Sequence, residues 1–178
     1  MTRPIEKAHR TAGCQQISLL VNLFTVAVFI LAVVVDYVQY RGETEALPML
    51  LVACAFFGLT CVFYVLTTGL NPGYVEKQPN FLRLLKRLIA ENYHLDYVCV
   101  PCETLRPENA EHCNFCNRCV QKFDHHCVFV NNCLGYRNHK WFLLFLASYT
   151  VYLLLVITTA LIIIVRYCVS PVYHSLTM

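Results

Sequence analysis

CVPCETLRPENAEHCNFCNRCVQKFDHHCVFVNNC, residues 99–133, holds seven of the chain's eleven cysteines together with His112, His125 and His126. The spacing runs Cys99-x2-Cys102, then His112-Cys113-x2-Cys116-x2-Cys119, then Asp124-His125-His126-Cys127, and finally Cys133. Two cysteines separated by two residues can turn both thiolates toward one ion, and zinc takes four sulfur or nitrogen ligands in a tetrahedron. Such pairs, interleaved with histidines in a short loop, point to structural zinc. Two closed tetrahedra are filled equally well by seven cysteines and one histidine or by six cysteines and two histidines, and the count leaves both open. The second solution frees one cysteine and one histidine. The block Asp124-His125-His126-Cys127 sets a carboxylate, imidazoles and a thiol in consecutive positions. A thiol attacks only as thiolate, an imidazole can take its proton, and a carboxylate can fix the imidazole's tautomer. Spacing alone leaves catalysis and pure metal binding both open.

Outside this stretch the chain is apolar. Of 178 residues, 57% are hydrophobic and 14% charged, with a mean hydropathy of +0.50. That is too apolar for a soluble domain of this size and indicates a membrane protein. A net charge of +3 leaves no electrostatic footprint for nucleic acid, which is not an expected partner. Cysteines concentrated at metal-like spacing indicate a reduced, cytosolic loop and not a secreted disulfide scaffold. Cys54 and Cys61 read as small apolar residues, while Cys14 and Cys168, near apolar boundaries, are also candidates for acylation.

Three apolar runs have the length of a membrane span, about 20 residues. They are 17–38, 47–67 and 141–165. The expected fold is an α-helical polytopic membrane protein with three transmembrane helices and a cytosolic cysteine-rich zinc module between the second and third. Residues 1–16, with Arg3, Lys7 and Arg10 against Glu6, form a cytosolic N-terminus, and 17–67 a transmembrane hairpin. Residues 68–98 form a cytosolic linker, opened by the helix stop Thr68-Gly69-Leu70-Asn71-Pro72-Gly73. In that linker Phe81, Leu84, Leu85 and Leu88 share one helical face, which suits either the membrane interface or packing on the module. Residues 99–140 are the zinc module, 141–165 the third span and 166–178 a short tail beyond Arg166. No internal repeat is legible. His94 and His139 match no motif position and read as surface residues.

These residues resemble the DHHC-type protein S-acyltransferases (palmitoyltransferases). The likeness rests on Asp124-His125-His126-Cys127, Cys99-x2-Cys102, Arg106-Pro107 and His112-Cys113-x2-Cys116-x2-Cys119, followed by Asn131-Asn132-Cys133-Leu134-Gly135 and Asn138-x3-Phe142. The resemblance implies transfer of a fatty acyl group from acyl-CoA (palmitoyl-CoA) to Cys127 as a thioester, and from there to cysteines of protein substrates at the cytosolic membrane face. It implies Cys127 as nucleophile, His125 as general base and Asp124 as the residue orienting it. It assigns one zinc to Cys99, Cys102, His112 and Cys119, and a second to Cys113, Cys116, His126 and Cys133. Membrane lipid, acyl-CoA and cysteine-containing proteins are the implied partners, with Lys122, Arg137 and Lys140 as candidates for the CoA phosphates. The implied location is an endomembrane (ER or Golgi) or the plasma membrane.

The sequence departs from the family pattern in places. Val128-Phe129 stands where Pro-Trp is usual, Asn71 where an aspartate is common, and Asn109 where an arginine is frequent. The family's fourth span and its Thr-Thr-x-Glu motif do not appear. The expected explanations are a short form, a piece of a longer chain, or a degenerate member. Without that span the acyl-chain cavity lacks a wall unless an oligomer or accessory subunit supplies it. The alternative function is that of a non-catalytic membrane zinc module or partner of a complete transferase.

Overall fold

The computed structural model describes the backbone of residues 46–177, with Ala27, Ile30 and Val34 as isolated helical positions, and side chains to Arg166 apart from those of 46, 47 and 50. Apart from those three positions the first expected span, 17–38, lies outside the described residues, as do the N-terminus and the side chains of the tail beyond Arg166. The described chain divides into two compact units.

One unit is built from residues 46–63 and 143–177, parts of two long helices. Helix α1 is Ala46–Gly69. A second long helix, His139–Thr177, closes the described chain. Runs of Leu, Val, Phe and Ile without charge favour these helices, because no water is available in a bilayer to satisfy a broken backbone. Among the described residues two helical stretches are long and apolar enough to cross a membrane, Leu51–Gly69 and His139–Arg166. Arg166 does not end its helix, which continues to Thr177. A single long cation tolerates a helical backbone and can extend toward an interface. Within this unit Ala53 and Tyr152 are buried at the helix contact, with Phe57 and Tyr152 rings 5.4 Å apart. Leu51, Val62, Leu154 and Leu161 stay exposed, as lipid-facing positions require.

The other unit, Tyr64–Phe142, is the module. Helix α2, Phe81–Ala90, buries Phe81 and half-buries Leu84, Leu85 and Leu88, so its apolar face is turned onto protein. Leu82 and Ile89 are left exposed beside Lys86. Three antiparallel hairpins follow: β1 (Val98–Cys99) with β2 (Thr104–Leu105), β3 (Ala110–Cys113) with β4 (Arg118–Gln121), and β5 (His126–Cys127) with β6 (Asn132–Cys133). The long closing helix, α3, takes its first residues from the end of this unit.

The hairpins repeat. Val98 pairs Leu105, His112 pairs Cys119 and His126 pairs Cys133, each set advancing by 14 residues. Each four-residue turn ends in a left-handed residue: Glu103 (φ 51°), Asn117 (φ 51°) and Asn131 (φ 47°). The sequence therefore does hold an internal repeat, contrary to expectation, and it is hidden because the repeated unit is shorter than the repeats that build solenoids. Cys99, Cys113 and Cys127 are equivalent positions in it. Cys102 and Cys116 are equivalent to Val130.

Asparagines knit the end of α1 to the third hairpin. The last carbonyls of a helix lack intrahelical donors. Asn132 Nδ2 lies 3.1, 3.1 and 3.0 Å from the carbonyls of Thr67, Thr68 and Leu70. Asn138, fully buried, donates to Thr67 O and Cys133 O (3.2 and 2.8 Å) and accepts from Gly135 N (3.0 Å). Asn71 Oδ1 accepts from the amides of Gly73 and Tyr74, both at 2.9 Å, so an amide serves this turn as an aspartate would. A β-carbon on Gly135 would lie 2.6 Å from Pro72 O, which excludes any side chain there.

Candidate functional site

Adjacent residues on a strand point to opposite faces. His112 and Cys113 are consecutive on β3, and they join different clusters. One cluster gathers Cys99, Cys102, His112 and Cys119, the other Cys113, Cys116, His126 and Cys133, with ligand atoms within 4.8 Å of one another in each. In both, the turn cysteines of one hairpin meet the paired His and Cys of the next. His112 Nδ1 lies 3.5, 3.1 and 4.0 Å from the sulfurs of Cys99, Cys102 and Cys119. His126 Nδ1 lies 3.4 and 3.6 Å from those of Cys116 and Cys133, which are 3.3 Å apart. A zinc tetrahedron with bonds of about 2.0–2.3 Å has ligand–ligand edges of roughly 3.5–3.8 Å. The donors fit a metal ion in each cluster, and Nδ1 is the histidine atom aimed at it. Phe115 stacks on His126 (4.8 Å, 13°) and fixes the ring.

Left to one another, the thiols share protons unevenly. A hydrogen bond from Cys133 lowers the Cys116 thiol to about 5, against burial and with help from the Tyr74 hydroxyl and His126. The same contact raises Cys133, and burial raises Cys102 and Cys119. Tyr74 is itself raised, first by burial and then by donating to Cys116. It is held by the Arg118 guanidinium 3.9 Å from its ring centroid and by a bridge to Val120. Sequence reasoning passed over Tyr74, which sits at the foot of a turn, far from the cysteines along the chain.

The third hairpin departs from its siblings in a way that frees Cys127. His126 faces the second cluster, so its neighbour Cys127 is directed to the other strand face. There Cys127 is 6% exposed and packs with Val130 and Leu134 against Tyr64 and Phe142. The equivalent position in each other hairpin is a cluster cysteine with a second cysteine three residues on; here that residue is Val130. Backbone bonds pin the block on both sides, from Asp124 N to Leu134 O (2.9 Å) and from Leu134 N to His125 O (2.8 Å). Asp124 Oδ2 lies 3.4 Å from His125 Nδ1. The His125 and Phe142 rings meet edge to face, their centroids 6.0 Å apart. Tyr64 donates to Phe129 O (3.4 Å), tethering the turn that lacks Pro-Trp, and the Phe129 ring is 60% exposed.

One residue belongs here that the sequence did not offer. His139 Nε2 lies 3.4 Å from the same Asp124 oxygen; its side chain is 45% exposed, at the surface as expected, but it is paired. His94 is exposed, as expected. Lys122 and Lys140 are exposed over the rings of Tyr136 and Trp141 (5.2 and 4.8 Å), and Arg137 is exposed.

Comparison with known proteins matches residues 92–177 to the family model described as DHHC palmitoyltransferase. This stretch of the chain belongs to the DHHC palmitoyltransferase family. The chain is 35% identical over 113 residues to the mouse protein named Palmitoyltransferase ZDHHC4, covering 62% of this chain and 33% of that one. It is 34% identical over 103 residues to fission-yeast Palmitoyltransferase akr1 (55% and 16%). It is 29% identical over 160 residues to Drosophila melanogaster Palmitoyltransferase ZDHHC8 (72% and 17%). The chain thus spans a third or less of the length of these DHHC relatives.

Proposed function

We propose that the chain is, or is part of, a protein S-acyltransferase that carries a fatty acyl group from acyl-CoA through a Cys127 thioester to cysteines of membrane-associated proteins. The observation that carries this reading is the placement of Cys127 outside both sulfur clusters, on the strand face opposite His126 and beside an Asp124–His125 pair. Two structural zinc ions, bound by Cys99, Cys102, His112 and Cys119 and by Cys113, Cys116, His126 and Cys133, would supply rigidity that so small a core lacks. The chemistry is left to the protein's own groups. His125, oriented by Asp124, takes the Cys127 proton, and the thiolate attacks the acyl-CoA carbonyl. The carbon–sulfur bond to CoA breaks, and the CoA thiolate leaves with the proton held by His125. In the second half the substrate cysteine gives its proton to His125 and attacks the acyl-Cys127 carbonyl. Cys127 leaves as thiolate and regains its proton.

Acyl-CoA joins an apolar tail to a charged head, which suits a nucleophile at a membrane surface. Lys122, Arg137 and Lys140 are the cations proposed to meet the CoA phosphates. We read the membrane part as three spans, 17–38, 47–67 and 141–165, with the N-terminus and module cytosolic, in an endomembrane or the plasma membrane. The test is labelling of the purified chain with a clickable palmitoyl-CoA. Wild type acquires a hydroxylamine-sensitive label and Cys127→Ala acquires none, with zinc content equal in both. Equal labelling of the two proteins sinks the assignment of Cys127.

A further inference from the structure

Two imidazoles, not one, meet the Asp124 carboxylate. His125 Nδ1 and His139 Nε2 each lie 3.4 Å from Oδ2. We infer that His139 is a positioning residue, holding the Asp124 carboxylate in the place from which it orients His125. This rests on the reading of Cys127 as the acyl acceptor and extends the constellation to a residue 15 positions downstream, beyond the DHHC block.

The argument begins with where each group is anchored. Asp124 and His125 lie on the short connection between β4 and β5, and both side chains are about half exposed, at 49% and 48%. An exposed carboxylate has several rotamers, and each must be lost before it can orient a ring. His139 is the first residue of α3, with its amide on Gly135 O at 3.0 Å. It follows directly on Asn138, which is fully buried and held at both ends of its amide. The backbone that carries His139 is therefore among the best-fixed in the module. An imidazole N–H from that backbone limits the carboxylate's freedom without covering it.

Exposure also separates the structural from the chemical role. An ion pair this open to water adds little to stability, so the fold does not depend on it. What it supplies is orientation. Separations of 3.4 Å are longer than a charge-assisted hydrogen bond, and such contacts commonly tighten only when substrate excludes water.

The experiment uses the full chain in lipid nanodiscs and compares wild type, His139→Ala, His139→Gln, Asp124→Ala and the Asp124→Ala/His139→Ala double variant. Three quantities are read: the rate and KM of acyl-enzyme formation with palmitoyl-CoA, bound zinc, and the rate of Cys127 alkylation by iodoacetamide, taken peptide by peptide. His139→Ala slows the saturated acylation rate about tenfold, with KM and zinc unchanged. His139→Gln, which keeps an N–H donor, recovers most of that loss. In the Asp124→Ala background, removing His139 changes nothing more. A wild-type rate in His139→Ala, a loss of zinc alongside the loss of rate, or an undiminished effect in the Asp124→Ala background each overturns the inference. Alkylation separates this from the proposed function. If no variant forms an acyl-enzyme yet Cys127 alkylation shows the same order, His139 keeps its role and the acyltransferase reading fails. If no variant forms an acyl-enzyme and alkylation is equal throughout, both fail.

Discussion

The module, Tyr64–Phe142, and the helical unit solve the problem of a small core in opposite ways. In the module the fully buried side chains are few, and Cys119, Cys133, Asn138 and Thr104 stand among them beside Val120, Val130 and Leu134. Its interior is sulfur and amide as much as hydrocarbon. In the helical unit Ala53 and Tyr152 form the buried centre, and most large apolar side chains face outward. The first structure is held by directional bonds, each nearly indispensable. The second is held by a backbone that lipid gives no alternative to helix. The same loss should therefore be severe in one unit and slight in the other.

The largest difference should come from metal. Binding of a structural zinc contributes on the order of 10 kcal/mol to a domain that lacks a core of its own. Cys133→Ser should lower bound zinc by at least one ion per chain and open the module to protease. The helical far-UV signal should persist. Acid should act in the same direction. Burial and hydrogen bonding raise the thiols of Cys102, Cys119 and Cys133, so each holds its proton at neutral pH and must release it to bind metal. Apparent affinity then falls as pH falls. Cys116, lowered to about 5, is ionised near neutrality and resists until pH approaches that value. Zinc retention that does not change between pH 7.5 and pH 5 would break the comparison.

A smaller but still marked effect is expected at Asn138. Asn138→Leu is close in volume, yet it strips the side-chain partner from Cys133 O and Gly135 N, while Thr67 O keeps the Asn132 amide. Unpaired buried groups cost about 1–3 kcal/mol each, so with two of them a loss of roughly 2 kcal/mol or more is expected. Zinc release followed against temperature should shift to a clearly lower midpoint. An unchanged midpoint would mean that water or a rearranged loop replaces the amide.

Much of this could be read from the residues because sulfur spacing and apolar length are local signals. Cys-x2-Cys pairs announced the clusters, and the uncharged runs 47–67 and 141–165 announced the helices Ala46–Gly69 and His139–Thr177, though not the continuation of the second past Arg166. The hairpins could not be read, since strands of two to four residues are too short to show alternation. With them went the reason for interleaving, that His112 and Cys113 point apart. The same is true of His126 and Cys127, so the division between cluster and free thiol is a consequence of strand geometry. His139 and Tyr74 were invisible for a different reason: only the folded register brings them to Asp124 and Cys116, and no spacing rule links them. The apolar face of α2 suited two environments, and burial of Phe81 decides for protein.

The smallest effect should be found where the helical unit uses a polar contact of its own. Thr60 Oγ1 lies 3.1 Å from Ser148 Oγ, buried between α1 and α3, and 2.8 Å from Phe56 O on its own helix. Ser148 Oγ in turn lies 3.1 Å from Phe145 O. A hydroxyl has one proton to give, so when Ser148 donates to Phe145, Thr60 must choose between Phe56 and Ser148. Whichever it takes, the carbonyl of Phe56 keeps its helical amide partner, and nothing is left stranded by Thr60→Val except one acceptor on Ser148. Interhelical hydrogen bonds in bilayers average about 0.6 kcal/mol, because the separated helices also find partners for these groups. Thr60→Val should therefore leave zinc content, acylation and the thermal midpoint within error of wild type, while Asn138→Leu shifts the midpoint strongly. A Thr60→Val protein as unstable as Asn138→Leu would show that the helical unit, too, is built on single directional bonds.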